Sequence, residues 1–396
     1  MNSMDATISS MQAPNIFGFF RYFVKFSPYN CGKGPLRIFP LVFSLATFCS
    51  MLFRTYWMFH MAGAEFLSFG WAEQNLFAFI ALESFPVVIA LFRMTSRGSI
   101  TNFETKMGAL QTLRLNRNRH ETHDNYGKLY IRLLILYTPI LISFVLTSIY
   151  LVSNHMVTYG GTDKNSWYPY VDAAVSFLCA YVNFIFLPIH VLLHTAIHRE
   201  FLIFNEELEE ASKNKELTNI RTFQQFGDRQ QKLMEYANLT CERMTVFMAF
   251  APFNILTAVT NGTYMFTNFG SSVKLLYFLC IIAVTICTII IASGLMYPMA
   301  RVQEAMLHTS NILMNDTFIP TNEDSSVYRC YRMMVDRSMY NRSQVNVIRI
   351  FAVNIKNVER AFFIITQIVL VMVVFHGVIN GFGQVSQVLM AKGPTV

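Results

Sequence analysis

The chain has 396 residues, of which 53% are hydrophobic, 15% are aromatic and only 14% are charged, with a formal net charge of +7. Soluble domains carry roughly 25% charged residues, so the composition excludes an ordinary soluble protein and is typical of one embedded in a bilayer. The positive residues flank apolar segments and are not interleaved with aromatic residues. This pattern argues against nucleic acid as a partner and predicts contact with an anionic face of the lipid bilayer.

Seven apolar segments are each long enough, or nearly so, to cross the ~30 Å hydrocarbon core of a bilayer as a helix. They predict an all-α membrane protein with spans at residues 38–59, 76–92, 131–152, 170–196, 245–267, 275–297 and 361–382. The seven-helix transmembrane domain therefore covers 38–382. A segment at 1–37 precedes it, and a tail at 383–396 follows it.

The positive charge of the connecting segments alternates along the chain. Segments 1–37, 93–130, 197–244 and 298–360 hold 26 Lys and Arg residues, whereas the other four connecting segments hold 3. Because cytoplasmic segments collect Lys and Arg, the N-terminus is expected in the cytoplasm and the C-terminal tail outside. This orientation is the reverse of that of a G-protein-coupled receptor.

The long cytoplasmic segments 197–244 and 298–360 carry helical patterns of their own. Residues 198–215 continue the fourth span, with Glu206, Glu207, Glu209 and Glu210 on a polar face, and 220–244 form a second amphipathic run. These two stretches predict an antiparallel helical hairpin below the membrane. In the next segment, 299–314 is expected to continue the sixth span, and 327–360 to lead into the seventh as helix.

Arg54 and Glu83 are the two formal charges that lie well inside predicted spans, at nearly the same depth. A charge in this position marks either the polar floor of an outward-facing ligand pocket or a buried ion pair that sets helix register. Pairing accounts for both residues at once, so the ion pair is the favoured interpretation.

Tyrosine and amide side chains occupy the outer halves of the third and fourth spans. Tyr150, Tyr181 and Asn183 supply the mixture of aromatic walls and sparse polar groups that suits a small-molecule pocket. The alternative is an aromatic belt at the membrane surface, which Tyr181 and Asn183 lie too deep to join.

The seventh span carries one polar stripe with an apolar continuation. Its members share one helical face: Val369, Val373, His376, Asn380, Gln384 and Gln387. Several copies of this helix would enclose a pore that is neutral and polar outside and apolar further in. A polar packing seam within a single subunit explains the same pattern equally well.

Nothing in the sequence predicts an enzyme, a metal site or a cofactor. The phosphate-binding, nucleophile-elbow, dinucleotide and Cys-x-x-Cys motifs are all missing from the sequence. His190, His194 and His198 recur at a spacing that can bind metal, but no carboxylate completes the set at a helical step.

Two regions resemble the gustatory and odorant receptor superfamily of invertebrates. The first is HTAIHREFLIFNEELEEA followed by FGDRQQKLMEYANLTCERMTVFMAF, in which Asn205 and Leu208 occupy an Asn-x-x-Leu motif. The second is FAVNIKNVERAFFIITQIVLVMVVF, in which Thr366 matches the start of the signature of span seven, although Gln367 replaces its Tyr. In overall pattern the chain looks most like nematode gustatory-receptor-like or class r serpentine receptors.

The resemblance implies a chemosensory subunit in the plasma membrane, gated by a small molecule and conducting cations without selectivity. It implies a homo- or hetero-tetramer whose seventh helices line the pore. Two other functions stay open: a metabotropic receptor that signals through its cytoplasmic loops, and a co-receptor subunit that binds no ligand.

Overall fold

Over the described residues, the computed structural model is α-helical apart from one pair of two-residue strands. This confirms the all-α class expected from the apolar periodicity. The structure describes residues 14–32, 37–60, 66–115, 125–154, 168–248, 251–269, 275–319, 325–340, 346–347 and 351–391.

The described helices are named α1 to α11 in chain order. They are α1 Phe20–Phe26, α2 Ile38–His60, α3 Phe69–Ser96, α4 Ser99–Gln111, α5 Gly127–Asn154, α6 Tyr168–Lys213, α7 Ile220–Met248, α8 Ala251–Phe269, α9 Leu275–Asn315, α10 Ser325–Met339 and α11 Ile355–Ala391. A 3₁₀ turn at Glu216–Thr218 separates α6 from α7.

Six of these helices are long and apolar enough to cross a membrane, which indicates a multi-pass membrane protein. The qualifying stretches are Ile38–Tyr56, Gly70–Ser96, Gly127–Tyr150, Ala173–Lys213, Leu275–Asn315 and Ile355–Val378. Helix α8 occupies the position of the predicted fifth span, but its 19 residues include Asn254, Asn261 and several threonines. The count of seven spans therefore stays a prediction.

Helix α6 is the centre of the bundle and packs against α5, α9 and α3. Its residues Phe186, Leu192 and Ile197 are fully buried. On the neighbouring pair, α5 approaches α9 closely because Gly294 has no side chain, and a Cβ atom there would collide with Tyr137 Oη. The helices are held together by the apolar side chains buried between them. The small residue at position 294 allows α5 and α9 to approach closely.

Helices α6 and α7 form the helical hairpin expected from the periodicity of 198–244. Helix α6 runs on without a break to Lys213, and the chain reverses at Lys215, which has a positive φ of 61°. Phe204 of α6 and Phe226 of α7 pack edge to face with their ring centroids 5.9 Å apart. The two helices of the hairpin therefore pack against each other through buried aromatic side chains.

The expectation of continuous helix over 327–360 is wrong. Helix α10 ends at Met339, and the strands Asn346–Val347 and Phe351–Ala352 then pair antiparallel before α11 begins. The sequence here alternates Val, Ile and Asn, and β-branched residues favour strand over helix. Asn354 starts the new helix, since its Oδ1 atom accepts a hydrogen bond from Asn357 N–H at 2.8 Å.

The segment before the first long helix is part of the core. Ile16, Phe17, Phe20 and Tyr29 are each at most 1% exposed. Helix α1 packs against α6, and Phe17 lies against Phe103 of α4 with ring centroids 5.6 Å apart. The charge pattern of 1–37 predicts only on which side of the membrane this segment lies, and gives no sign of the packing.

Candidate functional site

A group of polar side chains lies inside the bundle where α2, α3 and α6 meet. Asn183 of α6 donates from Nδ2 to Ser84 Oγ at 3.0 Å and to the Cys179 carbonyl at 2.9 Å. Arg54 of α2 and Glu83 of α3 both lie within electrostatic range of the Cys179 thiol. We call these five residues the interhelix polar cluster. It unites three residues that the sequence assigns to the ligand pocket.

Two acceptor atoms of the interhelix polar cluster lack a hydrogen-bond partner within the cluster. Glu83 is 5% exposed and Asn183 is 2% exposed. Within the described part of the chain, the Oε1 atom of Glu83 and the Oδ1 atom of Asn183 have no hydrogen-bond partner. Buried acceptors of this kind are costly unless water or a ligand satisfies them.

The favoured interpretation of Arg54 and Glu83 as an ion pair is not what the structure contains. Among the described residues, Glu83 forms no ion pair, and desolvation is the dominant influence on its carboxyl group. Equal depth along two helices does not determine which way each side chain turns.

Tyr150 of α5 lies in a different polar group, near the start of α3. Its ring is 6.4 Å from that of Tyr277, and the hydroxyl of Tyr277 donates to the buried carboxylate of Glu73. Glu73 and Glu83 are ten positions apart on one helix. At ~1.5 Å per residue, about 15 Å separates the two groups along the helix axis.

Tyr181 contacts the N-terminal segment. Its ring stacks on Phe177 with centroids 5.9 Å apart, and the ring of Tyr29 lies 6.2 Å away. The hydroxyl of Tyr29 in turn lies 3.4 Å from Thr47 Oγ1 of α2. The five residues assigned to a pocket by sequence are therefore divided among three places, of which the interhelix polar cluster holds Arg54, Glu83 and Asn183.

Helix α11, which carries the polar stripe, is largely uncovered. Only 6% of its apolar stretch Ile355–Val378 is buried. The helix packs mainly against α8 and α9. Val373 is 43% exposed, and Val369 and His376 are half-buried. The side chains of Asn380, Gln384 and Gln387 lie outside the described residues, although the helix itself continues through them.

The residues of the Asn-x-x-Leu motif join the C-terminal extensions of α6 and α9. Asn205 donates from Nδ2 to the Ala305 carbonyl at 2.9 Å and accepts from Thr309 Oγ1 at 2.6 Å. Leu208 is completely buried. Thr366 of α11 is exposed and bonds to the Phe362 carbonyl of its own helix. The motif in α6 thus has a packing role between two helices.

Two buried ion pairs that the sequence does not reveal lie beside this junction. Arg114, just after α4, pairs with Glu200 of α6, and Arg229 of α7 pairs with Glu207 of α6. Glu207 also accepts a hydrogen bond from Leu115 N–H at 3.2 Å. The four charged side chains are at most 5% exposed. Glu207, which the periodicity places on the polar face of α6, is therefore buried, because α7 and the segment after α4 cover it.

The three histidines of α6 are buried, and His190 contacts a neighbouring helix. The Nε2 atom of His190 is 3.0 Å from the Leu295 carbonyl of α9, and the rings of His190 and His194 lie 4.3 Å apart. Within the described residues, no group of three His, Cys, Asp or Glu side chains is arranged to hold a metal ion.

A family model described as "Caenorhabditis protein of unknown function, DUF267" matches residues 16–369. The chain belongs to this family. The match begins in the buried N-terminal segment and ends inside α11, so it includes the interhelix polar cluster and the hairpin of α6 and α7. A search of curated proteins gives no match.

Two solved structures share the fold. The insect olfactory receptor OR5 from Machilis hrabei superposes with a TM-score of 0.62 at 10% sequence identity, covering 90% of this chain and 99% of that chain. The same receptor in complex with eugenol gives a TM-score of 0.61 at 10% identity, covering 92% and 100%. At this identity the similarity shows a common fold, which confirms the olfactory-receptor-like architecture expected from the sequence.

Proposed function

We propose that the chain is a chemosensory receptor subunit of the plasma membrane that forms a cation channel gated by a small molecule. The fold shared with an insect olfactory receptor supports this proposal, since one of the two solved structures of that receptor is a complex with eugenol. The absence of catalytic motifs from the sequence agrees with a receptor. The proposed orientation has the N-terminus in the cytoplasm and the C-terminus outside.

The observation that carries the channel proposal is the uncovered face of α11. Leu370, Val371, Val374 and Phe375 are each more than half exposed, as expected for a helix that faces lipid or other subunits. Its polar members His376, Asn380, Gln384 and Gln387 would be costly against lipid tails. In a tetramer, one face of α11 can border a water-filled pore while the apolar faces contact neighbouring helices.

The gate in this proposal is the apolar part of the same face. Val373 and Val369 lie about one and two turns inward from His376, respectively. Rings of valine from four subunits form a constriction that closes by losing its water and opens when the helices move apart.

The proposed ligand site is the interhelix polar cluster, with Arg54, Glu83 and Asn183 as its polar groups. The unpartnered acceptor atoms of Glu83 and Asn183 would accept hydrogen bonds from a ligand hydroxyl or amine. Tyr150 and Tyr181 lie outside this cluster and act in the proposal as supports of the helices around it.

Crosslinking between subunits tests the arrangement without knowledge of the stimulus. Val373→Cys places a thiol on the pore face, and Val371→Cys places one on the opposite face of the same helix, since two residues correspond to about 200°. Oxidation of membranes that contain Val373→Cys should produce crosslinked dimers. Val371→Cys should give no more crosslinked dimers than the unmodified chain. Equal crosslinking at both positions would contradict a pore lined by this face of α11.

A further inference from the structure

A basic cavity lies at the intracellular end of the bundle, away from the interhelix polar cluster. Its volume is about 370 Å³, within the range of roughly 300–1,000 Å³ typical of small-molecule sites. Helices α3, α4, α6 and α7 enclose it. Arg93, Arg97 and Lys106 line it. We call it the basic cavity.

The three cations of the basic cavity are accessible to an anion, and the Lys106 ammonium also lies over the Tyr236 ring, 5.8 Å from its centroid. All three are exposed, and in the described part of the chain none of them forms an ion pair. No Asp or Glu side chain is among the described residues that line the cavity. Glu104, the carboxylate between them on α4, is engaged elsewhere: it accepts from Ile16 N–H at 3.1 Å and pairs with Arg21 at 3.5 Å.

Polar groups and a helix end complete the polar side of the basic cavity. Ser99 and Asn102 belong to the first turn of α4, and no side chain caps the start of this helix. Backbone N–H groups at a helix start add to the attraction for an anion. Tyr236 holds this turn in place, because its hydroxyl donates to the Phe103 carbonyl at 2.9 Å and its ring stacks on that of Phe103.

The other wall of the basic cavity is apolar and buried. Ala90, Met94 and Leu193 are at most 8% exposed. Arg93 directly follows the apolar run 76–92 of the second predicted span, so the cavity lies where hydrocarbon gives way to headgroups. A ligand with several negative charges and an attached apolar part would match both walls.

We propose that the basic cavity binds the phosphorylated inositol headgroup of a membrane lipid. The shared chemistry is that of phosphate monoesters, which arginine side chains bind through two parallel hydrogen bonds. The cavity wall formed by Ala90, Met94 and Leu193 favours a lipid over a free inositol phosphate. Binding would hold α3 and α4 against α7. Helix α7 contacts α8, which in turn packs against α11.

The test uses the full-length chain purified in detergent and a fluorescent short-chain phosphatidylinositol bisphosphate. Fluorescence polarisation should show saturable binding, and unlabelled lipid should compete better than inositol trisphosphate or inorganic phosphate. Arg93→Gln/Arg97→Gln/Lys106→Gln should weaken binding by about tenfold or more, because each lost charge-assisted hydrogen bond costs about one order of magnitude.

The matched control is Arg221→Gln/Arg329→Gln/Lys356→Gln. It also removes two arginines and one lysine, from exposed positions outside the cavity. This variant should bind like the unmodified chain. Arg93→Lys/Arg97→Lys keeps the charge but loses the paired hydrogen bonds, so it should give an intermediate affinity.

Three results would overturn the proposal. One is unchanged binding in the variant that lacks all three cavity cations. Another is an equal loss in the matched control, which would indicate attraction by net charge alone. Equal competition by inositol trisphosphate would assign the cavity to a soluble ligand and reject the lipid. None of these results depends on channel activity, so the proposed function is tested separately.

Discussion

Asn205 of α6 and Thr309 of α9 share a hydrogen bond of 2.6 Å between buried side chains, below the apolar part of the bundle. The same amide donates to the Ala305 carbonyl, so one side chain links two helices at two points. Buried polar links of this kind specify the register between helices, because any shift leaves donors and acceptors unpaired.

Replacing Asn205 should therefore weaken the junction between α6 and α9. Asn205→Ala leaves the Thr309 hydroxyl without its partner, and we expect a loss of about 1–3 kcal/mol in the free energy of unfolding. Size-exclusion chromatography of heated, detergent-solubilised protein measures the effect as a lower melting temperature. Thr366→Ala is the control, since Thr366 is exposed and bonds within its own helix; an equal loss in both variants would contradict the proposed role.

The buried pair Arg114 and Glu200 should respond differently to single and double substitution. Arg114→Met leaves the Glu200 carboxylate buried and unpaired, which costs about 3–5 kcal/mol. Arg114→Met/Glu200→Leu removes both charges and should recover most of that stability. Melting temperatures of these two variants and of Glu200→Leu complete a double-mutant cycle. If the losses of stability in the two single variants simply add up in the double variant, the two side chains do not interact.

Stability should vary with pH through Glu104. Burial raises the pKa of the Glu104 carboxyl above its usual 4.5, against the opposing hydrogen bonds of Phe17 and Ile16 and the charge of Arg21. A raised pKa means that the folded protein holds this proton more tightly than the unfolded chain. The folded state therefore loses stability as pH rises from about 4.5 through the raised pKa.

Glu104→Gln removes that proton equilibrium and keeps a side-chain acceptor for the backbone. The melting temperature of the unmodified chain, relative to this variant, should fall as the pH rises from acid to neutral. Glu235→Gln, at an exposed position on α7, should leave the profile unchanged. A constant difference between the unmodified chain and Glu104→Gln at every pH would refute the assignment.

Conduction should depend on the polar stripe of α11. Asn380→Leu makes the outer half of the proposed pore apolar, and we expect reduced whole-cell current with normal surface expression. Val374→Leu changes an exposed residue off the stripe and should leave the current unaltered. Signalling that survives Asn380→Leu intact would favour a metabotropic receptor, and silence of the unmodified chain expressed alone would favour a co-receptor subunit.

The orientation of the chain is open to a direct test. An epitope tag placed after Val396 should be stained by antibody on intact cells, because the distribution of Lys and Arg places the C-terminal tail outside. Staining only after permeabilisation, with surface expression established independently, would mean that the chain crosses the membrane an even number of times. Helix α8, with its Asn and Thr residues, would then be the first span to reconsider.

The sequence by itself determined the helical class and the positions of the long helices. The lengths of the apolar segments and the 3.6-residue periodicity are local properties, so they can be read without the fold. The break between α10 and α11 was missed because the helical pattern over 327–360 outweighed the β-branched run within it. The resemblance carried by Asn205 and Leu208 pointed to the architecture that the two solved receptor structures share.

Only the tertiary structure decided which polar residues meet. Arg54 and Glu83 approach Cys179 and form no pair with each other in the described part of the chain, and Glu207 is covered by α7. The basic cavity arises from residues up to 150 positions apart, between Ala90 and Thr240. Such contacts depend on the rotation and approach of helices packed against one another, and no local pattern in the sequence specifies either.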